Sequence, residues 1–179
     1  MNVAIDPGHG MANASPGVFD PGAVNQGFRE ADVVLPFAFA LEDACGQRGW
    51  RTFLTRRDND QPRPLANRVA AARAHGCELL VSLHCNAWHL SGTQGTETLY
   101  GTYESLPLAE AVQKRVVLAL SSRDRGTKER GELAILKFGP AVLVELGFLT
   151  NTADLARLML PASPRRVAAA ICNALEEVA

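Results

Sequence analysis

The sequence predicts an α/β fold in a single domain. Short apolar runs alternate with amphipathic stretches along the chain, the pattern of strands interleaved with helices. With 179 residues, 47% of them apolar and 21% charged, the chain is long enough for one full core and ordinary in composition for a globular protein. No repeat, low-complexity tract or linker divides it.

Val3 to Asp6 reads as the first strand. Residues 11–29, rich in Gly, Pro, Asn and Ser, read as a long loop, and loops of that length in a compact domain are usually functional or disordered. A helix follows over 31–48, with Val34, Phe37, Leu41 and Ala44 or Cys45 on one stripe and Gly49 as its stop. Pro36 fits only if the helix begins near Asp32, so that the proline falls about in the first turn. Thr52 to Thr55 reads as a strand, and 64–75 as a helix stopped by Gly76. Leu79 to His84 is a continuous apolar run, as in a buried central strand. Thr96 to Tyr100 alternates like an edge strand, and 105–121 reads as a helix. Leu133 to Leu136 and Ala141 to Leu146 read as two more strands. The last helix spans Ser163 to Val178, with Ser163 before Pro164 as an N-cap and N1 pair.

The net charge of −1 offers no basic footprint for nucleic acid and no field to steer the chain to an anionic surface. The densest basic group, Arg123 to Arg130, is mixed with Asp124 and Glu129 and reads as a solvated loop. The four cysteines (Cys45, Cys77, Cys85 and Cys172) show neither C-x-x-C nor zinc-finger spacing and read as buried thiols. No apolar run approaches the ~20 residues of a membrane span. Met1 leads directly into a strand rather than a basic, then apolar leader, so the chain is expected to be made in the cytoplasm without its own export signal. A cloned catalytic fragment would begin the same way.

Four polar residues sit where a purely structural protein gains nothing from them. His9 lies just past a strand in Asp6-Pro7-Gly8-His9-Gly10, His84 ends the most apolar strand, Glu30 opens a helix, and Glu145 interrupts Val142-Leu143-Val144-Glu145-Leu146. An ionised carboxylate is rarely buried without a partner or a metal, so Glu145 is expected to face a polar cavity at a strand end. Taken singly, each has a plainer reading. Glu145 can pair with an arginine such as Arg68, His84 can be a satisfied core histidine, His9 can bond within its turn, and Glu30 can answer the helix dipole. Together they lie where open α/β sheets bind ligands, at the carboxyl ends of strands. Two histidines, one carboxylate and an open fourth position make a catalytic zinc site, and a further glutamate suits general-base work on a water. The set therefore predicts one zinc ion on His9, Glu30 and His84, with Glu145 catalytic.

Through I-D-P-G-H-G (5–10), D-P-G-A-V (20–24), R-E-A-D (29–32), L-T-R-R-D (54–58), R-x-x-x-A from Arg68 to Ala72, V-S-L-H-C-N (81–86), G-T-E (95–97) and P-A-V-L-V-E-L-G-F-L-T-N (140–151), the chain resembles the zinc-dependent N-acetylmuramoyl-L-alanine amidases of bacterial and phage cell-wall hydrolysis. These pieces occur in the family's order and cover essentially the whole chain. The resemblance implies a mixed, mostly parallel six-stranded sheet with helices on both faces, and residues 1–179 as one zinc amidase catalytic domain. It also implies the same four site residues and cleavage of the amide between N-acetylmuramic acid and L-alanine in peptidoglycan. Two departures stand out. Met11 to Phe19 lengthens the loop before the D-x-G-A block, and Cys85 replaces the usual alanine after the histidine; Cys85 is expected to face away from His84, since strand neighbours point to opposite sides. Ala87 to Glu104 is too short for the helical insert that blocks the zinc in some members, so no built-in autoinhibition is expected.

Asn86 is expected beside the metal as a contact to the peptide stem, or as the cap of its own turn. Asp6 reads as a strand-end turn residue or as a carboxylate that orients a histidine. Lys137 and Arg68 read as surface or ion-pair residues, and His75 and His89 as exposed. Two other functions compete: a zinc peptidase or carboxypeptidase on a related scaffold, and a non-catalytic cell-wall binding module. A chain without an export signal suits a phage or prophage endolysin that reaches the wall through a holin-type pore partner. An autolysin domain is the other setting.

Overall fold

The computed structural model describes residues 1–178. In chain order its main elements are β1 (Asn2–Pro7), α1 (Glu30–Gly46), β2 (Arg51–Leu54), α2 (Leu65–Ala74), β3 (Leu79–Asn86), β4 (Thr96–Tyr100), α3 (Leu106–Leu120), β5 (Asp124–Glu129), β6 (Ala141–Phe148), α4 (Thr152–Leu158) and α5 (Ser163–Val178). The sheet has six strands in the order β2-β1-β3-β6-β4-β5. All neighbours run parallel except β4, which is antiparallel to β6, so β4 and β5 oppose the other four strands. The architecture is the α/β domain that the sequence pattern predicts, with the mixed, mostly parallel six-stranded sheet that the resemblance implies.

Period-two alternation divides each strand between two cores. Val3, Ile5, Val81, Leu83, Cys85, Val142 and Val144 face the larger core, packed under α1, α3 and α5. Ala4, Leu80, Leu99 and Leu143 face the smaller one, closed by α2 and a 3₁₀ turn at Ala134–Phe138. The same alternation carries Ser82, His84 and Asn86 on the smaller-core side of β3, and Glu145 on that side of β6. Cys85 is buried on the other face, as its strand position predicts.

Several expectations are corrected. Leu133 to Leu136 is not a strand: the chain from Ala134 makes a 3₁₀ turn that presents Ile135, Leu136 and Phe138 to the smaller core. Arg123 to Arg130 is not a free loop. Asp124–Glu129 pairs with β4, which moves Thr96–Tyr100 from the sheet edge to its interior. α1 starts at Glu30, so Pro36 is its seventh residue and lies inside the helix. Pro36 is exposed and offers no amide to the Asp32 carbonyl, while Val33, Val34 and Phe37 are buried in the larger core and hold the helix to the sheet. Ser163 is itself the first residue of α5, and its hydroxyl donates to the Arg157 carbonyl at 2.6 Å. α4 was not expected; Asn151 caps it by accepting from the amides of Ala153 and Asp154. Cys45 and Cys172 are buried, with their sulfurs 3.7 Å apart, whereas Cys77 is only partly buried. Among the described residues no helix is long and apolar enough to cross a membrane.

Candidate metal centre

The carboxyl ends of β1 and β3 and the start of α1 converge on one point. There His9, Glu30 and His84 place one potential ligand atom each within 4.8 Å of one another. Glu30 is the hub. Its Oε1 lies 3.0 Å from His9 Nε2 and 2.9 Å from His84 Nδ1. Metal–ligand bonds of roughly 2.0–2.2 Å in a tetrahedron space the donors about 3.3–3.6 Å apart, so the set is compact enough to close on one ion with a shift of a few tenths of an ångström in the two Glu30 pairs.

Each ligand is held by a different device. Glu30 enters from the first helical position, its amide bonded to the Ala23 carbonyl at 2.8 Å. Its Oε2 accepts from the amide of Ala23 and its Oε1 from that of Cys85, each at 2.9 Å. His84 lies on β3 against Gly8, where a Cβ would stand 2.3 Å from its ring, and a Cβ on Gly22 would stand 2.6 Å from both His9 and Glu30. Glycine at both positions is what lets the three side chains meet.

His9 has φ +63, a left-handed conformation that non-glycine residues rarely adopt. Two fully buried arginines hold the segment that contains it. Arg56 donates to the carbonyls of Pro7 (2.9 Å), Gly8 (2.5 Å) and Ala31 (3.0 Å). Arg68 donates to Asp6 Oδ1 (2.9 Å) and to the carbonyls of Pro7 (3.0 Å) and His9 (2.6 Å). Asp6 in turn accepts from Thr55 at 2.6 Å and Ser82 at 2.7 Å. Asp6 is therefore neither a turn residue nor the orienter of a histidine; it is the buried counter-charge of Arg68. Burial alone would raise its pKa, but Arg68, Thr55 and Ser82 hold it below the ordinary value.

The residue that orients His9 is Asp20, which follows the lengthened loop and opens the D-P-G-A block. Its Oδ2 is 2.9 Å from His9 Nδ1, which leaves Nε2 as the potential ligand atom, and Oδ1 accepts from the Gly22 amide. Asn13 donates to the same carboxylate at 2.6 Å. Burial works against a charge on His9, but Glu30 and Asp20 outweigh it and raise its pKa to about 8. Burial likewise opposes the charge on Glu30, and the two histidines overcome it and drive that pKa well down.

Sheet register brings up the fourth residue. Glu145 of β6 stands directly beside His84 of β3. Its Oε2 is buried with no hydrogen-bond partner among the described residues. Burial, reinforced by Glu30 and Glu97, pushes its carboxyl up to about 7 against the opposing pull of His84 and His9. The salt bridge to Arg68 that the sequence allowed is not made, since Arg68 is engaged with Asp6. A cavity of about 160 Å³ opens beside His9 and His84, with Leu65, Leu133, Ile135 and Leu143 in its walls. Asn86 donates to Glu97 at 3.0 Å and caps its own turn by accepting from Ala87 at 2.9 Å. Lys137, His75 and His89 are exposed.

The family model for N-acetylmuramoyl-L-alanine amidase matches residues 3–177. The chain is 35% identical over 180 residues to the uncharacterised protein YqiI of Bacillus subtilis, covering 97% of this chain and 82% of that protein. It is 35% identical over 162 residues to the N-acetylmuramoyl-L-alanine amidase LytC of the same species, covering 87% of this chain but 31% of LytC. Among solved structures, the catalytic domain of the amidase CwlV from Bacillus (Paenibacillus) polymyxa var. colistinus superposes with TM-score 0.87 at 31% identity, covering 98% and 96% of the two chains. An N-acetylmuramoyl-L-alanine amidase from Clostridium difficile 630 gives TM-score 0.88 at 28% identity, covering 98% and 95%.

Proposed function

The chain belongs to the N-acetylmuramoyl-L-alanine amidase family of peptidoglycan hydrolases, and from that premise we propose that residues 1–179 form a catalytic domain using one zinc ion on His9, Glu30 and His84. The observation that carries the reading is the buried Glu145 Oε2, without a hydrogen-bond partner among the described residues and next in the sheet to a two-histidine, one-carboxylate cluster.

The donor set fits zinc: imidazole nitrogens and one carboxylate, with no fourth protein ligand closing the site among the described residues. Bound there, zinc supplies Lewis-acid polarisation of the scissile carbonyl and lowers the pKa of water to roughly 7. The chain's own residues do the rest. Glu145 accepts the proton of the attacking water and returns it to the departing amine of L-alanine. Asp20 fixes the tautomer and direction of His9, and Arg56 and Arg68 hold the backbone that carries it. The apolar wall of Leu133 and Ile135 limits water on the cavity side, and Asn86, beside the reaction centre, contacts the peptide stem. An endolysin that reaches the wall through a holin-type pore and an autolysin would both apply this chemistry to the same bond.

Purified peptidoglycan digested with the chain is expected to release intact stem peptides with free N-terminal L-alanine, detected by mass spectrometry. A chelator should abolish release and added zinc restore it. Products that leave L-alanine attached to muramic acid would make the chain a peptidase, and binding without release would make it a wall-binding module.

A further inference from the structure

The register that sets Glu145 beside His84 continues across the sheet. Glu145 is directly opposite Glu97 of β4, so His84, Glu145 and Glu97 form one row on the same face. Glu97 is 6% exposed and bonded on every side. Asn86 donates to its Oε1; Arg125 Nε (2.7 Å) and Lys128 Nζ (2.6 Å) both donate to its Oε2. The two cations come from β5 and outnumber the single carboxylate they share.

Their meeting is built into the strand. Residues three apart normally face opposite sides of a sheet. Here the β4–β5 register slips by one, from Thr96 opposite Asp124 to Thr98 opposite Thr127, with Gly126 at φ +75 in the bulge. That one-residue slip brings Lys128 onto the same face as Arg125, and bulges beside active sites re-aim side chains in this way. Arg125 is further fixed by packing 4.9 Å over the Phe148 ring and crossing Gly95, where a Cβ would lie 3.0 Å from its Cγ. Asp124 does not neutralise the pair; its Oδ1 is taken by Gln113 of α3 and the Gly126 amide. Among the described residues the two Nη groups of Arg125 have no partner, and Lys128 bonds only Glu97.

We propose that Arg125 and Lys128 form a carboxylate-binding subsite that reads the acidic residue following L-alanine in the stem peptide. Two interstrand steps of ~4.8 Å separate Glu145's strand from β5, about the distance from a scissile amide to the side groups of the second residue beyond it. Glu97 holds both cations in place, and the open edge of the Arg125 guanidinium offers the fork geometry that a carboxylate accepts. The inference rests on the amidase reading above.

The test compares zinc-loaded native chain with Lys128→Met and Arg125→Gln on two muramyl dipeptides. One carries free carboxyls on its second residue; in the other both are primary amides. The native chain is expected to show a KM roughly tenfold or more lower for the acid form, the scale of one charge-assisted contact. Each variant should raise the KM for the acid toward that of the amide and change the KM for the amide form far less. Equal KM values for the two compounds on the native chain would overturn the subsite, as would variants that impair both compounds alike. Should Arg125→Gln fail to fold, Lys128→Met decides the matter alone, because that side chain is 44% exposed. A native chain that cuts neither compound between the lactyl group and L-alanine overturns the amidase reading itself, and the subsite with it.

Discussion

Glu145→Gln is expected to bind zinc as the native chain does and to lose turnover by roughly 10³-fold or more. The substitution preserves volume and removes only the proton acceptor, and positioned acid–base groups contribute about 10²–10⁴-fold. The same variant should stabilise the metal-free protein at alkaline pH. Glu145 has an ordinary pKa of 4.5 and is raised to about 7 in the fold, chiefly by burial. The folded state therefore favours the protonated acid, and that contribution is full below pH 4.5 and lost as pH rises to about 7. A carboxylate forced to ionise in this site lowers stability, and its replacement by an amide should return on the order of 3 kcal/mol at pH 8 and little at pH 4.5. Denaturant melts of metal-free native and variant chains at the two pH values check this. A variant no more stable at pH 8, or one retaining native turnover, would remove Glu145 from its assigned role.

Arg68→Met should have the largest effect on stability of any single change near the site, about 3–5 kcal/mol. The Asp6 and Arg68 side chains are each 1% exposed. Removing one partner of such a pair leaves the other charge buried and unpaired. The loss should also weaken zinc binding, because Arg68 holds the carbonyl of His9, whose φ of +63 needs support. Urea melts combined with zinc titration of the folded fraction measure both effects. A destabilisation below ~1 kcal/mol would mean that Thr55 and Ser82 suffice to hold Asp6.

Much of this was legible in the sequence because it follows from strand periodicity. His84 and Glu145 interrupt apolar runs, and a charged residue in a buried strand has few structural uses. Glu30 was legible as the opening residue of an amphipathic helix. What escaped reading was the support. Arg68 looks like an outward residue on a helix, yet the helix face it occupies covers the β1 terminus. Arg56 follows an apolar strand with nothing to mark it as buried. Asp20 sits in a loop whose path no periodicity records. β5 was hidden because Asp124–Glu129 has almost no apolar residue; its partner β4, not its own pattern, makes it a strand. Leu133 to Leu136 misled for the opposite reason, since a short apolar run serves a buried 3₁₀ turn as well as a strand.

The most direct test of the central assignment is a crystal structure of the chain grown with zinc, with diffraction measured at the zinc absorption edge. One anomalous peak is expected, about 2.0–2.2 Å from a nitrogen of His9, an oxygen of Glu30 and a nitrogen of His84, with its remaining side open toward Glu145. A peak elsewhere, or a fourth protein ligand closing the site, would contradict the account.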